Sequence, residues 1–282
     1  MPIPAAVLAG FDHLAPLPVT AQRLVSLLSS DEVSLARVAS LIEYDQVIAA
    51  RVLRMARSAA YAGRMPADTV REAVVRLGTA TVLELVLGDY LQTLRVSAPM
   101  YDLAEDELWA HGAATSLAVR ALMAERPRAG IPGMALTAGL VHDIGKLLMV
   151  RTLKAQPAEV QACCEAHGVT WVEAERTLFG CDHAEVGAAM ARAWSFPEPM
   201  VDTIARHHDS PLAPPTPMLD AVVTANLAAK SIGVGLGAEG LNLNVDGGAA
   251  ARLGLDFAAF ARVSVQTAVW LKDLKEAHGV AA

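Results

Sequence analysis

The chain has 282 residues, of which 54% are hydrophobic but only 5% aromatic, and its formal net charge is −7. This length suits one large domain or two smaller ones, and the dominance of alanine and leucine favours closely packed helices over strands. The acidic balance, without a long stripe of lysine and arginine, argues against direct nucleic-acid binding.

Targeting features are not evident in the sequence. No uninterrupted apolar run reaches the roughly 18 residues that a membrane-spanning helix needs, and the N-terminal segment lacks the basic start of a secretory signal. Cys163, Cys164 and Cys181 form neither a CxxC pair nor an even disulfide framework. We therefore expect a soluble cytoplasmic protein with reduced thiols and no membrane contact.

The first third of the chain has the pattern of short helices separated by turn residues. The segment from Thr69 to Glu72 has the form of a capping box, with Gly78 as the end of that helix, and another helix follows directly. We predict a small helical lobe over residues 10–96, with a junction over residues 97–102.

The second predicted lobe, residues 102–282, contains longer helices. Residues 134–153 are predicted to form one helix, and capping boxes at Thr170 to Glu173 and at Asp182 to Glu185 mark two further starts. The glycine-rich stretch from Gly233 to Gly248 is predicted to be a loop. Its GxG fragments do not indicate a dinucleotide site, since no βαβ unit surrounds them.

Residues of the types that bind metals gather in the second lobe. Imidazole and carboxylate ligands together suit first-row divalent metals such as Fe, Mn, Zn or Ni. Glu107 and His111 stand four residues apart, so on one helix they share a face and can reach a common ion. The gathered residues are His111, His142, Asp143, His183, His207 and His208.

His142 and Asp143 interrupt an otherwise apolar run that also contains Lys146. A single histidine is more often a surface or hydrogen-bonded core residue than a ligand. Charged residues are almost never buried without a partner, however, and a metal is one candidate partner for Asp143. A buried hydrogen-bond network from Asp143 to Lys146 or to a histidine is the alternative, and the residues alone leave both open.

Several segments resemble the HDOD domain of the HD superfamily, in the same order along the chain. They include EAVVRLG in the first lobe and GLVHDIGKLLM and HAEVGAAMARAWSFPEPMVDTIARHH in the second, and the resemblance covers about residues 10–235. It implies an all-α fold in which a small N-terminal helical lobe packs on an HD-type helical lobe. It also implies a bacterial signalling or regulatory role, often without catalysis.

The resemblance also implies a ligand set. Compared with the related HD-GYP phosphodiesterases, which cleave cyclic di-GMP, Lys146 matches the lysine that faces phosphate. The implied cofactor is a divalent transition metal, iron or manganese ahead of zinc or nickel, as one or two ions. The positions that match metal ligands are Glu107, His111, His142, Asp143, His183, His207 and His208.

Two departures from the hydrolase pattern shape the predicted function. Asn226 stands where a late metal-binding aspartate is expected, and no GYP motif follows His208. We therefore predict a regulatory HDOD protein that acts by binding signalling proteins, with a metal-capable site that does not hydrolyse phosphate esters. The alternative is a metal-dependent phosphohydrolase acting on a nucleotide or cyclic dinucleotide, with Lys146 neutralising developing charge. A third possibility is a sensor that binds a nucleotide without hydrolysing it.

Overall fold

A computed structural model of the chain describes residues 3–10, 16–28, 34–57, 61, 67–94, 97–153, 155–208, 214–241 and 247–277. These ranges contain helices and no strand, with one isolated bridge between Ala98 and Leu103. The predicted all-α class is thus confirmed. Within the same ranges, no helix combines the length and the apolar character needed to cross a membrane.

The first part of the chain forms helices whose apolar faces meet in a common core. Gly78 interrupts the longest of them with a φ of 76°, and the predicted capping box of Thr69 and Glu72 is present. Val96, the predicted end of the first lobe, lies outside the described residues. The helices are α1 (Ala5–Leu8), α2 (Val19–Leu28), α3 (Leu35–Glu43), α4 (Gln46–Arg57) and α5 (Val70–Thr93).

The second part continues with helices that begin at clear capping residues. Both predicted capping boxes are present, with Thr170 and Asp182 as the N-caps. The α-helices within the described ranges are α6 (Glu107–Glu125), α7 (Met134–Val141), α8 (Ile144–Thr152), α9 (Pro157–His167), α10 (Trp171–Phe179), α11 (His183–Ala193), α12 (Glu198–Arg206), α13 (Pro217–Ser231), α14 (Gly247–Arg252) and α15 (Phe257–Ala277). Short 3-10 helices cover Pro99–Tyr101 and Glu239–Leu241.

The predicted single helix over residues 134–153 is wrong, because the structure divides it into α7 and α8. His142 is the last residue of helical geometry after α7, while Asp143, with φ −96° and ψ 10°, leaves that geometry and precedes α8. The break changes the direction of the chain between the two polar residues. His142 and Asp143 therefore lie at a helix junction and not in the middle of one helix.

Close helix crossings position the residues beside this junction. At Gly145 on α8, a Cβ atom would overlap the backbone carbonyl of His183, the first residue of α11. At Gly112 on α6, a Cβ atom would overlap the carbonyl of Leu140 on α7. Because the backbones approach each other directly at both crossings, the polar residues adjacent to these glycines are brought within reach of one another.

The junction between the predicted lobes is anchored in the core by half of its residues, while Ser97, Pro99 and Asp102 are exposed. Met100 and Tyr101, in the 3-10 helix Pro99–Tyr101, are each 1% exposed, and one continuous apolar core extends through both parts of the chain. Helix α5 packs on α6 and α7, and α1 packs on α8. The boundary between residues 10–96 and 102–282 stays a prediction, but residues 97–102 are not an exposed linker.

The Gly145→Ala substitution tests the close crossing of α8 and α11. A methyl group there has no space without separating the two backbones, so we expect a loss of about 1–3 kcal/mol in the free energy of unfolding. Chemical denaturation measures this loss. Gly88 in α5 provides the matched control, because a Cβ atom there lies 4.0 Å from its nearest neighbour, Leu140.

Gly88→Ala should be neutral or stabilising by up to about 1 kcal/mol, since alanine is the better helix former. Equal unfolding free energies for the wild type and the Gly145→Ala protein would contradict the close crossing.

Candidate metal centre

Four histidines converge on the buried carboxylate of Asp143. Two of them face its Oδ2 atom: the Nε2 atoms of His111 and His142 each lie 3.5 Å away. The other two face its Oδ1 atom, with the Nε2 of His183 at 3.4 Å and that of His207 at 3.3 Å. All five side chains are buried. The structure thus brings together residues from α6, α11, the α7–α8 junction and the end of α12.

The opposite ring nitrogen of each histidine is held by an oxygen acceptor. Nδ1 of His111 lies 3.1 Å from the Val234 carbonyl, and Nδ1 of His142 and of His207 lie 2.8 Å and 2.7 Å from carbonyls three residues earlier. A carbonyl can only accept, so each of these Nδ1 atoms carries the proton and donates it. The Nε2 lone pairs of neutral rings therefore point inward, towards the carboxylate.

His183 has a carboxylate partner in place of a carbonyl. Its Nδ1 donates to Oε2 of Glu175 over 2.8 Å, and its backbone N–H donates to the same oxygen over 3.0 Å. Tyr101 Oη in turn donates to Oε1 of Glu175 over 2.7 Å. A carboxylate behind a histidine fixes the ring and makes its other nitrogen more basic, as in the outer shell of many metal sites.

The inward-facing atoms lack hydrogen-bond partners among the described residues. This is the case for Nε2 of His111, His142 and His207 and for Oδ1 of Asp143, all of which are buried. Unpaired buried polar atoms are rare and costly, and here acceptor lone pairs face a carboxylate oxygen. A cation between them would satisfy all of these atoms, so the residues fit a divalent metal.

The donors fall into two groups that share Asp143. His111, His142 and Asp143 form one group, and His183, His207 and His208 with Asp143 form the other. Within each group the ligand atoms lie within 4.8 Å of one another. Asp143 is therefore common to both groups, and the number of ions, one or two, stays a prediction.

Burial keeps most of these rings neutral, which is the form that binds a metal. It lowers the pKa of His111 to about 4 and the pKa of His142 well below its usual value. The pKa of His208 is also lowered, by burial and then by the adjacent His207 ring. For His183, burial is outweighed by the Glu175 carboxylate, which raises the pKa to about 10.

The pair of His183 and His208 shows where a cation is needed. Their Nε2 atoms lie 2.8 Å apart, so one of them must carry a proton. The opposite pKa shifts of the two rings assign that proton to His183. A shared proton or a metal ion is therefore needed between these two nitrogens.

Lys146 lies beside the cluster and is paired with two carboxylates. Its Nζ donates to Oδ2 of Asp143 over 2.8 Å and to Oε2 of Glu239, and its ammonium sits 5.1 Å from the centre of the Tyr101 ring. Burial alone would lower its pKa, but the two carboxylates outweigh this and raise it. The hydrogen-bond network considered from the sequence is therefore present, alongside the convergent histidines.

Glu107 does not join the cluster, contrary to the expectation that it shares an ion with His111. It is exposed at the first turn of α6, where its Oε2 accepts a hydrogen bond from the backbone N–H of Ala104 over 2.6 Å. The carboxylate caps the start of the helix, and this position directs it away from the buried ring of His111. The structure therefore gives no support to Glu107 as a ligand.

Two acidic residues near the cluster were missed in the sequence. Glu175 had a detectable signal, because it occupies the buried face of α10 together with Trp171, Val172 and Ala174. Glu239 had none, since it stands in the glycine-rich stretch that was predicted to be a loop. That stretch instead forms a 3-10 helix over Glu239–Leu241, while residues 242–246 lie outside the described ranges.

Asn226, the residue at the expected late aspartate position, is buried on α13. Its Oδ1 atom has no hydrogen-bond partner among the described residues. A neutral amide is a weaker metal ligand than a carboxylate. The position therefore contributes no negative charge to the protein interior.

Comparison with known proteins places this architecture among helical HD-type folds. A Geobacter sulfurreducens HDOD domain protein of unknown function shares 25% identity, covering 95% of this chain and 94% of that one, with a TM-score of 0.69. A candidate phosphohydrolase of Shewanella amazonensis SB2B shares 26% identity, covering 93% of this chain and 98% of that one, with a TM-score of 0.59.

Sequence comparison agrees with the structural likeness. A protein of Treponema pallidum (strain Nichols) without an assigned function is 22% identical over 229 residues, which are 79% of this chain and 43% of that protein. The chain thus spans less than half the length of this curated relative. The family model of the HDOD domain matches residues 14–210. The chain therefore belongs to the HDOD domain family.

Proposed function

We propose that this chain is a regulatory HDOD protein that binds a divalent transition metal at the Asp143 centre and acts through contact with other signalling proteins. The observation that carries the metal proposal is the orientation of the four histidines around Asp143. Each donates its Nδ1 proton outward, so that four Nε2 atoms face one carboxylate. Such an arrangement is unfavourable without a cation and typical of a metal centre.

The ligand types favour a metal of the first transition row. A mixed set of imidazole nitrogens and one carboxylate suits Fe, Mn, Zn and Ni, whereas Mg and Ca prefer oxygen ligands alone. Iron and manganese are proposed ahead of zinc and nickel. Asp143 would bridge the two groups of histidines, and the Glu175 carboxylate behind His183 would strengthen that ring as a ligand.

The environment of Lys146 supports a regulatory role over hydrolysis. Asp143 and Glu239 both accept hydrogen bonds from its ammonium group, so two of its three donors and most of its charge are already taken by carboxylates. The residues after α13 also lie against the centre, since Val234 contacts His111 and Glu239 contacts Lys146. With Lys146 paired to Asp143 and Glu239, the histidines can still hold a metal, but a phosphate ester would have to displace a carboxylate from Lys146.

Contact with a signalling partner is proposed for the first lobe. Tyr44, between α3 and α4, is 92% exposed, and Val47 on α4 is 64% exposed. Large apolar side chains that stay exposed side by side are common at protein interfaces. Because these side chains belong to the small lobe, a partner bound there would not cover the metal centre, and binding could regulate that centre from a distance.

A metal-dependent phosphohydrolase is the second candidate function. It is favoured by the 26% identity to the Shewanella candidate phosphohydrolase and by the ligand set. A bound divalent ion supplies Lewis acidity towards a phosphoryl group. In this case Lys146 would exchange a carboxylate for the phosphate of a nucleotide or cyclic dinucleotide and balance its charge.

The metal proposal predicts stoichiometric binding. Protein purified without a histidine tag and loaded anaerobically with Fe²⁺ or Mn²⁺ should hold about one to two ions per chain by elemental analysis. His142→Ala and His207→Ala should each reduce this content, because they remove one donor from different groups. His167→Ala is the matched control, since His167 is exposed on α9 and outside both groups.

Less than about a tenth of an ion per chain after loading would contradict the metal proposal. So would an equal loss of metal in the His167→Ala control.

The role of Glu175 is tested separately from the ligands. Glu175→Gln keeps the shape of the side chain but weakens the acceptor behind His183, so the metal affinity should fall about 10–100-fold. Competition with a metal chelator measures this affinity. Tyr101→Phe, which removes the outer hydrogen bond to Glu175 and the weaker contact of the hydroxyl with Met149 Sδ, should have the smaller effect. The opposite ranking would argue against the Glu175–His183 pair as the tuning element.

The regulatory reading predicts no hydrolysis above background. Iron- and manganese-loaded protein should cleave cyclic di-GMP, linear dinucleotides and a generic phosphodiester no faster than the His142→Ala and Asp143→Ala proteins do. Chromatography of the products over several hours measures these rates. A rate that depends on both residues would instead establish the phosphohydrolase candidate.

A further inference from the structure

The Glu239 carboxylate lies in a basic pocket formed by three side chains from other parts of the chain. Lys146 Nζ donates to its Oε2, while Lys230 Nζ lies 3.5 Å and His208 Nε2 lies 3.7 Å from its Oε1. Glu239 itself is 7% exposed. Lys146 comes from α8, Lys230 from the end of α13 and His208 from the turn after α12. Three separate elements thus surround one carboxylate.

The segment that carries Glu239 rests directly on the metal centre. We call residues 233–241 the glycine strap. The Val234 carbonyl accepts the Nδ1 proton of His111, and the Ala238 N–H donates to the Tyr101 carbonyl over 2.9 Å. At Gly235, where φ is 69°, a Cβ atom would overlap the His111 ring. The strap is therefore fitted closely to a ligand of the proposed metal, and glycine permits this approach.

The pocket has the chemistry of a phosphate site. Two ammonium groups point at the two oxygens of one carboxylate, and phosphate offers more oxygens and more negative charge to the same donors. A divalent cation nearby would add positive charge and favour a dianion further. Because Glu239 is delivered by a short glycine-rich segment, its carboxylate can be replaced without dismantling a helix of the core.

We propose that Lys146 and Lys230 form a binding site for a phosphate-class anion, and that Glu239 on the glycine strap occupies it as an internal competitor. The inference deepens the proposed function, since it names the ligand class of the same centre and the group that excludes it. The strap is an autoinhibitory element: a phosphate-bearing ligand binds when the strap withdraws. Lys230 is assigned to this site together with Lys146.

Inorganic phosphate is the probe, and isothermal titration calorimetry measures its affinity for the full chain. Glu239→Gln removes the competing charge with little change in shape, so phosphate should bind about tenfold tighter or more than to the wild type. Glu198→Gln is the matched control: it removes the same charge from a 75% exposed side chain at the far end of α12, and phosphate affinity should not change. Adding Lys230→Met to Glu239→Gln should abolish the gain.

Each titration is made on both metal-free and manganese-loaded protein, so that the two proposals fail separately. A gain in the Glu239→Gln protein without any metal binding would support the anion site and refute the metal centre. No gain in either form, a gain that survives Lys230→Met, or an equal gain in Glu198→Gln would overturn the anion site.

Circular dichroism shows whether each variant is folded. Should Glu239→Gln fail to fold, Glu239→Asp replaces it, because the shorter carboxylate keeps the charge and reaches the ammonium groups less well. Phosphate affinity above that of the wild type then supports the proposal, and unchanged affinity contradicts it.

Discussion

The burial of one carboxylate, that of Asp143, is the constraint on which the centre of this molecule depends. An isolated buried carboxylate is strongly unfavourable, and imidazole lone pairs that face it do not relieve that cost. The Lys146 ammonium provides one compensating charge. Burial raises the pKa of Asp143, but the His142 ring and then Lys146 outweigh burial and hold this pKa well below its usual value. The side of the Asp143 carboxylate that faces the histidines can accept a further positive charge.

The backbone geometry explains how so many polar groups reach one point. The α7–α8 junction places His142 and Asp143 at a change of chain direction, while the glycine crossings bring α6 and α11 into contact with it. Each histidine then anchors its outer nitrogen to a carbonyl or carboxylate. The ring orientations are therefore set by backbone and packing before any ligand binds, which is the preorganisation that a metal site requires.

Sequence reasoning reached the helical class and most of the centre, because these depend on local patterns. A capping box such as Thr170 to Glu173 can be recognised from four residues and marks the start of a helix. The pairs His142–Asp143 and His207–His208 are easily recognised as candidate ligands from the sequence. Sequence reasoning failed for features that are decided by tertiary contacts. No proline or glycine stands at the break itself, at His142 and Asp143. The exposure of Glu107 follows from its position in the first turn of α6, where its carboxylate accepts a hydrogen bond from the Ala104 N–H. Glu239 could not be placed, since no periodicity operates in a glycine-rich segment.

Tyr101 has a consequence for communication across the molecule. It belongs to the buried junction between the two parts of the chain, its hydroxyl holds Glu175, and its carbonyl holds Ala238. One residue thus touches the support of a histidine ligand and the segment that covers the centre. A rotation of the first lobe that displaced Tyr101 would loosen both contacts together. By thermodynamic reciprocity, if the chain binds the proposed metal and partner and they are coupled, each would change the affinity for the other by the same factor, and Tyr101 would lie on the path between them.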